Sequence, residues 1–236
     1  MSEQQYIDLY RQHRQLIFGH SSGVMNAQRD AAFERFCQQG FPTRKVERYK
    51  YTDIPRLMEP DYGLNLQRLE IPVDPYEAFR CDVPNLSTSL FFVVNDAFHE
   101  KAMPKSQLTD GVLVGSLAQN ASQFSVYYNQ LAANDLDGLT QLNTMLAQDG
   151  LLVYVPKNTV VDKAVQVINI LRSDVDLMVN RRVLIVLEEG AELKMLFCDH
   201  AADDKNFLAT QVIEAYVGEN ASLDLYCLEE THYKNV

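Results

Sequence analysis

The chain has 236 residues, 47% hydrophobic and 22% charged, which is enough apolar material for one large domain or two small ones. A formal net charge of −11 argues against a general nucleic-acid binder, and four scattered cysteines with no C-x-x-C pair argue against a zinc ribbon or a disulfide framework. The charge is uneven: residues 1–60 carry nine Lys/Arg against seven Asp/Glu, while residues 61–236 carry twelve against twenty-five, which suggests separate structural parts.

The polar start, Met1 to Gln5, has no apolar signal core behind it, and no apolar run reaches the length of a membrane span, so a cytoplasmic protein without membrane association is expected. Ser2 and Gln5 can form a capping box, and Tyr6, Tyr10, His13 and Ile17 then mark one face of a helix that stops near Gly19. A second helix is expected from Asn26, with Ala27, Ala31, Phe33, Phe36 and Cys37 as its apolar side and Gly40 and Pro42 as its end. Six of the eight prolines fall between Phe41 and Pro84, so that segment reads as extended linker and edge structure. Leu90 to Asn95 and Gly111 to Leu117 read as strands, and Leu136 to Gln148 as a helix closed by Asp149-Gly150.

Strands then dominate, and they repeat. Val183, Ile185 and Leu187 align with Ile213, Ala215 and Val217 thirty residues on; Leu193, Met195 and Phe197 align with Leu223, Leu225 and Cys227. The turns Glu189-Gly190-Ala191 and Glu219-Asn220-Ala221 fall between them. One period earlier, Val153 and Val155 fall in the column of Val183 and Ile185, and Val165 and Val167 in that of Met195 and Phe197. A unit of strand, tight turn and strand cannot bury its apolar face alone, so a β-solenoid or a stacked-strand sheet is expected. Three regions follow: residues 1–84 helical and proline-rich, 85–150 a mixed lead-in, and 151–236 the start of the stacked core.

The local candidates for a metal contact are Cys198 and His200, because thiolate and imidazole suit iron or zinc. The thirty-residue register sets His200 across from Glu230, with His232 nearby; the competing reading is a polar strand end with a half-buried thiol, and no metal ligand is assigned. Cys227 and Cys37 are expected to be packing residues, and Cys81 has no evident partner. The basic run Arg44, Lys45, Arg48 and Lys50, with Tyr49 and Tyr51 between, reads as a solvated loop that pairs with the acidic second half rather than a phosphate site. Asp174, Asp176 and the group Asp199, Asp203 and Asp204 raise a carbohydrate-cleaving solenoid enzyme as an alternative, but they sit where turn aspartates bond their own backbone. Neither a nucleophile elbow nor a phosphate-binding glycine loop occurs, so nucleotide hydrolysis would have to come from a partner.

Gly40-Phe41-Pro42-Thr43-Arg44-Lys45 followed by Glu47-Arg48-Tyr49-Lys50-Tyr51-Thr52 resembles the entry motif of the SufB/SufD family of iron–sulfur cluster assembly proteins. The stretches Leu139 to Pro156 and Lys163 to Leu171, and the strands from Val183, are similar to that family too, with the SufD branch the nearer. The resemblance implies N-terminal helices and a mainly β core formed as a right-handed parallel β-helix, truncated here at its C-terminal end. It implies a non-catalytic scaffold partnered by SufB-like and SufC-like (ATPase) subunits, with self-association through β-helix edges as a further expectation. No cofactor of its own is implied, only iron or an iron–sulfur cluster in transit. The family's functional histidine lies in a late segment with no counterpart here, so no catalytic residue is carried over.

Overall fold

The computed structural model describes residues 2–78, 87–102, 108–134, 137–231 and 234–236. In chain order the helices are α1 (Ser2–Gly19), α2 (Gly23–Gln39), the one-turn α3 (Ile54–Leu57), α4 (Pro75–Ala78) and α5 (Leu117–Asn120), and α6 (Gly138–Leu146). The strands are β1 (Thr88–Val94), β2 (Ala97–Phe98), β3 (Leu113–Ser116), β4 (Leu151–Val155), β5 (Ala164–Leu171), β6 (Leu177–Leu187), β7 (Glu192–Ala201), β8 (Phe207–Val217) and β9 (Ser222–Glu230).

They form two mixed sheets, ordered β2-β1-β5-β7-β9 and β3-β4-β6-β8. The β1–β2 and β3–β4 pairs are antiparallel and the other pairings are parallel. This corrects the expectation of a mainly β chain with a right-handed parallel β-helix: helix and strand are present in nearly equal measure, and the architecture is an α/β mixture with two mixed sheets. The repeat reports only the parallel pairings of the later strands. It carries no information on the antiparallel partners, one of which turns back at Asn95, in the left-handed region at φ 55°.

The thirty-residue register holds for β5–β7, β6–β8 and β7–β9: Val165 pairs with Met195, Val183 with Ile213 and Phe197 with Cys227. It fails for β4, where Val153 faces Ile185 and Val155 faces Leu187, an offset of thirty-two. The bridge Val160–Glu192 keeps thirty-two, so the earlier unit carries two extra residues between Val160 and Val165. The turns follow the same step. Asn158, Gly190 and Asn220 all adopt positive φ (55°, 67° and 55°) and stack, with Asn158 N–H donating to Glu189 O and Gly190 N–H to Glu219 O. A β-carbon on Gly190 would stand 2.5 Å from Asn158 Oδ1, so a larger residue there would have to displace that side chain.

Between the sheets lies an apolar core that includes Val153, Val165, Val183, Ile185, Met195 and Phe197. The outer faces are covered as well. Phe124 and Tyr128 lie over Leu152 and Leu184, and Ala102 packs with Phe92, Ile168 and Cys198. A strand buried on both faces reads as a continuous apolar run, and every residue of β6 is buried.

The N-terminal helices form another cluster with α6, Met178 and Leu208. On α1, Tyr6, Tyr10 and Ile17 are buried as expected, but His13 is exposed. On α2 the buried face is Met25, Arg29, Ala32 and Phe36, so Ala31 and Cys37 point to solvent instead of packing. The helix also begins earlier than its apolar pattern, because the Ser22 side chain caps it by accepting from Met25 N–H. The rotation has a cause: Arg29 is a core residue. Its Nη1 donates to the Thr144 and Met145 carbonyls at the end of α6, its Nη2 to Ser21 Oγ and its Nε to Asn26 Oδ1. A guanidinium there satisfies terminal carbonyls and complements the helix dipole.

Candidate functional site

Cys198 and His200 lie two residues apart on β7, on the sheet face away from Phe197. Cys198 is fully buried among Phe92, Ile168 and Ile170, and its Sγ accepts from Gln166 Nε2 at 3.4 Å. Thr88 Oγ1 donates to Gln166 Oε1 and orients that amide. His200 is 7% exposed; its Nδ1 stands 3.6 Å from Glu230 Oε2, the neighbour expected from the register, while Nε2 has no hydrogen-bond partner among the described residues. His232 and Cys81 fall outside the described residues. No group of three or more His, Cys, Asp or Glu side chains is placed to hold a metal ion among the described residues.

Cys227 is exposed, not a core residue, although it pairs with Phe197 as expected. The register put it in the interior column, but on β9 no further strand covers that position among the described residues. Partial desolvation by the neighbouring side chains, with the carboxylates of Asp199 and Glu229, pushes its thiol up, which disfavours the thiolate that a metal or an electrophile would need.

The aspartates do not form a catalytic pair. Asp174 accepts from Arg172; Asp203 accepts from Arg172 and from Ser173 N–H; Asp176 accepts from Asn206 N–H and Nδ2. Asp204 pairs with Lys234 at 2.8 Å. Asp199 pairs with Arg181, whose Nε donates to Asn95 O at 2.7 Å. Asp174, Asp176, Asp203 and Asp204 make local ties from turns, as turn aspartates do, whereas Asp199, expected in a turn, lies within β7 and bonds a buried arginine of β6 in the other sheet.

The basic segment is organised by one carboxylate. Asp137 accepts from Arg48 Nη1 at 3.2 Å and from the Tyr49 hydroxyl, and its Oδ1 caps α6 by accepting from Leu139 N–H. Burial, reinforced by that carboxylate, pushes the Tyr49 phenol up to about 12. The expected pairing with the acidic part of the chain is thus found for Arg48, whereas Arg44 and Lys50 pair locally with Asp53 and Glu47. Just upstream, Gly40 (φ 64°) ends α2, and Phe41 packs edge-on against Tyr6 and Phe36 at 5.6 and 5.2 Å.

Two polar clusters escape a reading by periodicity. Arg182 and Glu214 form an ion pair of 2.7 Å at 0% and 2% side-chain exposure. Arg182 also donates to Asn129 Oδ1 and Thr144 Oγ1, and Glu214 accepts from the backbone N–H groups of Asn129, Leu131 and Ala132. Asp149 accepts from Ser116 Oγ, Ala118 N–H and Phe98 N–H, tying three segments together. The signal for the first was present: two arginines inside the apolar run Leu177 to Leu187 require buried partners.

A family model described as SufBD protein N-terminal region matches residues 1–167, and one described as SUF system FeS cluster assembly, SufBD core domain, matches residues 169–236. The chain belongs to the SufB/SufD family. Members of the SufB/SufD family take part in iron–sulfur cluster assembly, and the two matched regions meet within β5. No curated protein matches the chain. Among the described residues no helix is long and apolar enough to cross a membrane.

Proposed function

We propose that this SufB/SufD-family chain is a non-catalytic scaffold subunit of the SufD type, working in the cytoplasm with SufB-like and SufC-like partners in a SufBCD-type complex. The observation that carries this reading is the pair of family matches, which together run from residue 1 to residue 236. The chemistry of the chain supports it. Its turn aspartates are engaged in local bonds, the buried Cys198 thiol sits in an apolar cluster, and its sequence lacks a phosphate-binding glycine loop. In this reading a SufC-like ATPase supplies nucleotide hydrolysis. Iron or a nascent cluster is cargo that passes at subunit contacts and is not a resident group of this chain. The sheet edge at β9, which pairs with no further strand among the described residues, supports a role in which other chains are bound, whereas the start of β8 is covered by Asn235 and Val236.

The test is co-expression of the protein with SufB and SufC homologues, followed by affinity purification and native mass measurement. A stoichiometric complex that survives moderate salt is expected. Failure to form one at any ionic strength would sink the scaffold reading.

A further inference from the structure

Residues 43–56 form the most basic stretch of an acidic protein: Arg44, Lys45, Arg48, Lys50 and Arg56 stand against Glu47 and Asp53, on a chain of net −11. All five cations are exposed. The ion pairs Arg44–Asp53 and Lys50–Glu47, at 3.4 and 3.9 Å, are open to solvent, so they are weak and readily exchanged for another anion. Lys45 and Arg56 make no ion pair among the described residues. The same stretch presents Tyr51, 89% exposed, and Val46, 44% exposed. Among the described residues Tyr51 is the most exposed large hydrophobic side chain.

Next to this stretch lies a groove of about 510 Å³ whose lining includes Phe41, Pro42, Val46, Arg48, Tyr49 and Asp137, the last already engaged by Arg48 and Tyr49. Its walls are fixed. Asp137 holds Arg48 and Tyr49 from below, and Gly138 approaches Gly40 so closely that a β-carbon there would stand 1.8 Å from the Gly40 carbonyl oxygen. A preformed groove with apolar walls, next to exposed cations of which only Lys45 and Arg56 make no ion pair among the described residues, loses little entropy on binding and selects a ligand by charge.

We propose that this groove and its basic rim dock a short acidic segment of a partner protein, with a bulky apolar side chain in the groove and Asp or Glu side chains against Lys45, Arg56 and their neighbours. Charge complementarity selects this occupant. A nucleic acid would run its phosphates beyond this patch over a surface of net negative charge, whereas a short segment places its few acids within the patch alone. The proposal goes beyond the scaffold reading and does not rest on it, because it concerns the helical region and needs no sheet edge.

The test is fluorescence anisotropy of the full chain with a short labelled peptide in which Glu and Asp flank a single Phe. Binding that weakens as salt is added is expected, and replacing the Phe by Ser should weaken it further. The pair Lys45→Glu/Arg56→Glu, which breaks no ion pair of the fold, should reduce affinity roughly tenfold. Val46→Asp should reduce it through the groove, and the circular dichroism of both variants should match the parent. The idea is overturned by equal affinity for the same peptide with Lys in place of its acids, or by charge reversal without effect. Tighter binding of single-stranded DNA in the same buffer, or sedimentation showing that the segment instead joins two copies of this chain, would also overturn it.

Discussion

Arg182 and Glu214 meet in the interior where α6, the segment 129–132 and strands β6 and β8 converge, and both side chains are spent on that junction. Removing one member of such a pair strands the other charge without water. Glu214→Gln is expected to lower unfolding stability by about 3–5 kcal/mol in urea titration, while the apolar double replacement Arg182→Met/Glu214→Leu should recover much of that loss. Tyr49 gives a residue-scale prediction in pH. Its phenol is raised to about 12 by burial and by Asp137, against about 10 for an unfolded tyrosine. For a raised group the stabilisation is complete below the unfolded value and disappears as pH climbs through the folded one. Stability should therefore fall between about pH 10 and about pH 12, and Tyr49→Phe should make that fall shallower. Tyr6 and Tyr10, whose phenols burial also raises, leave a residual slope. An identical slope in the variant would show that Tyr49 loses its proton freely.

At the level of elements, what was legible followed from patterns with one dominant cause. Tyr6, Tyr10 and Ile17 on α1 and the pairing register of the later strands come from burial and agree with the structure, whereas His13 and Cys227, placed on the same inward faces, are exposed. The face of α2 was misread because its largest buried side chain is an arginine, which apolar periodicity scores as surface. The register of β4 was misread because two residues inserted between Val160 and Val165 leave the apolar alternation intact while moving every partner. The contact between the end of α2 and the start of α6 left no sign except two glycines. There Gly138→Ala would force the helices apart, and a loss of about 1–3 kcal/mol is expected by thermal or urea unfolding. Parent-like stability would mean the two backbones separate easily.

For the whole molecule, the sheets were readable as stacked parallel strands, and the mixed α/β architecture was not. The helices that cover the outer faces are recruited through contacts far apart in sequence, such as Arg29 to Met145 and Glu214 to Asn129. Of the candidate site, the His200–Glu230 neighbour was legible from register, while the burial of Cys198 depends on covering residues that no repeat encodes. The gradient of burial along the stack makes a prediction: β6 is buried throughout, and β9 is half-buried or exposed throughout. Hydrogen exchange should be slowest in β5, β6 and β7 and much faster in β9. Uniform protection across all parallel strands would show that the molecule opens only as a unit.

The spacing of thirty to thirty-two residues between strand partners also sets a timetable for synthesis. Each of these strands finds its neighbour waiting as soon as the one intervening strand of the other sheet has left the ribosome, so the two sheets can grow in alternation. The two long helices made first have no such luck: their resting place includes Leu142, Met178 and Leu208, so α1 and α2 must remain undocked until most of the polypeptide has been translated. Chaperone capture of the nascent chain should accordingly be strongest in that interval.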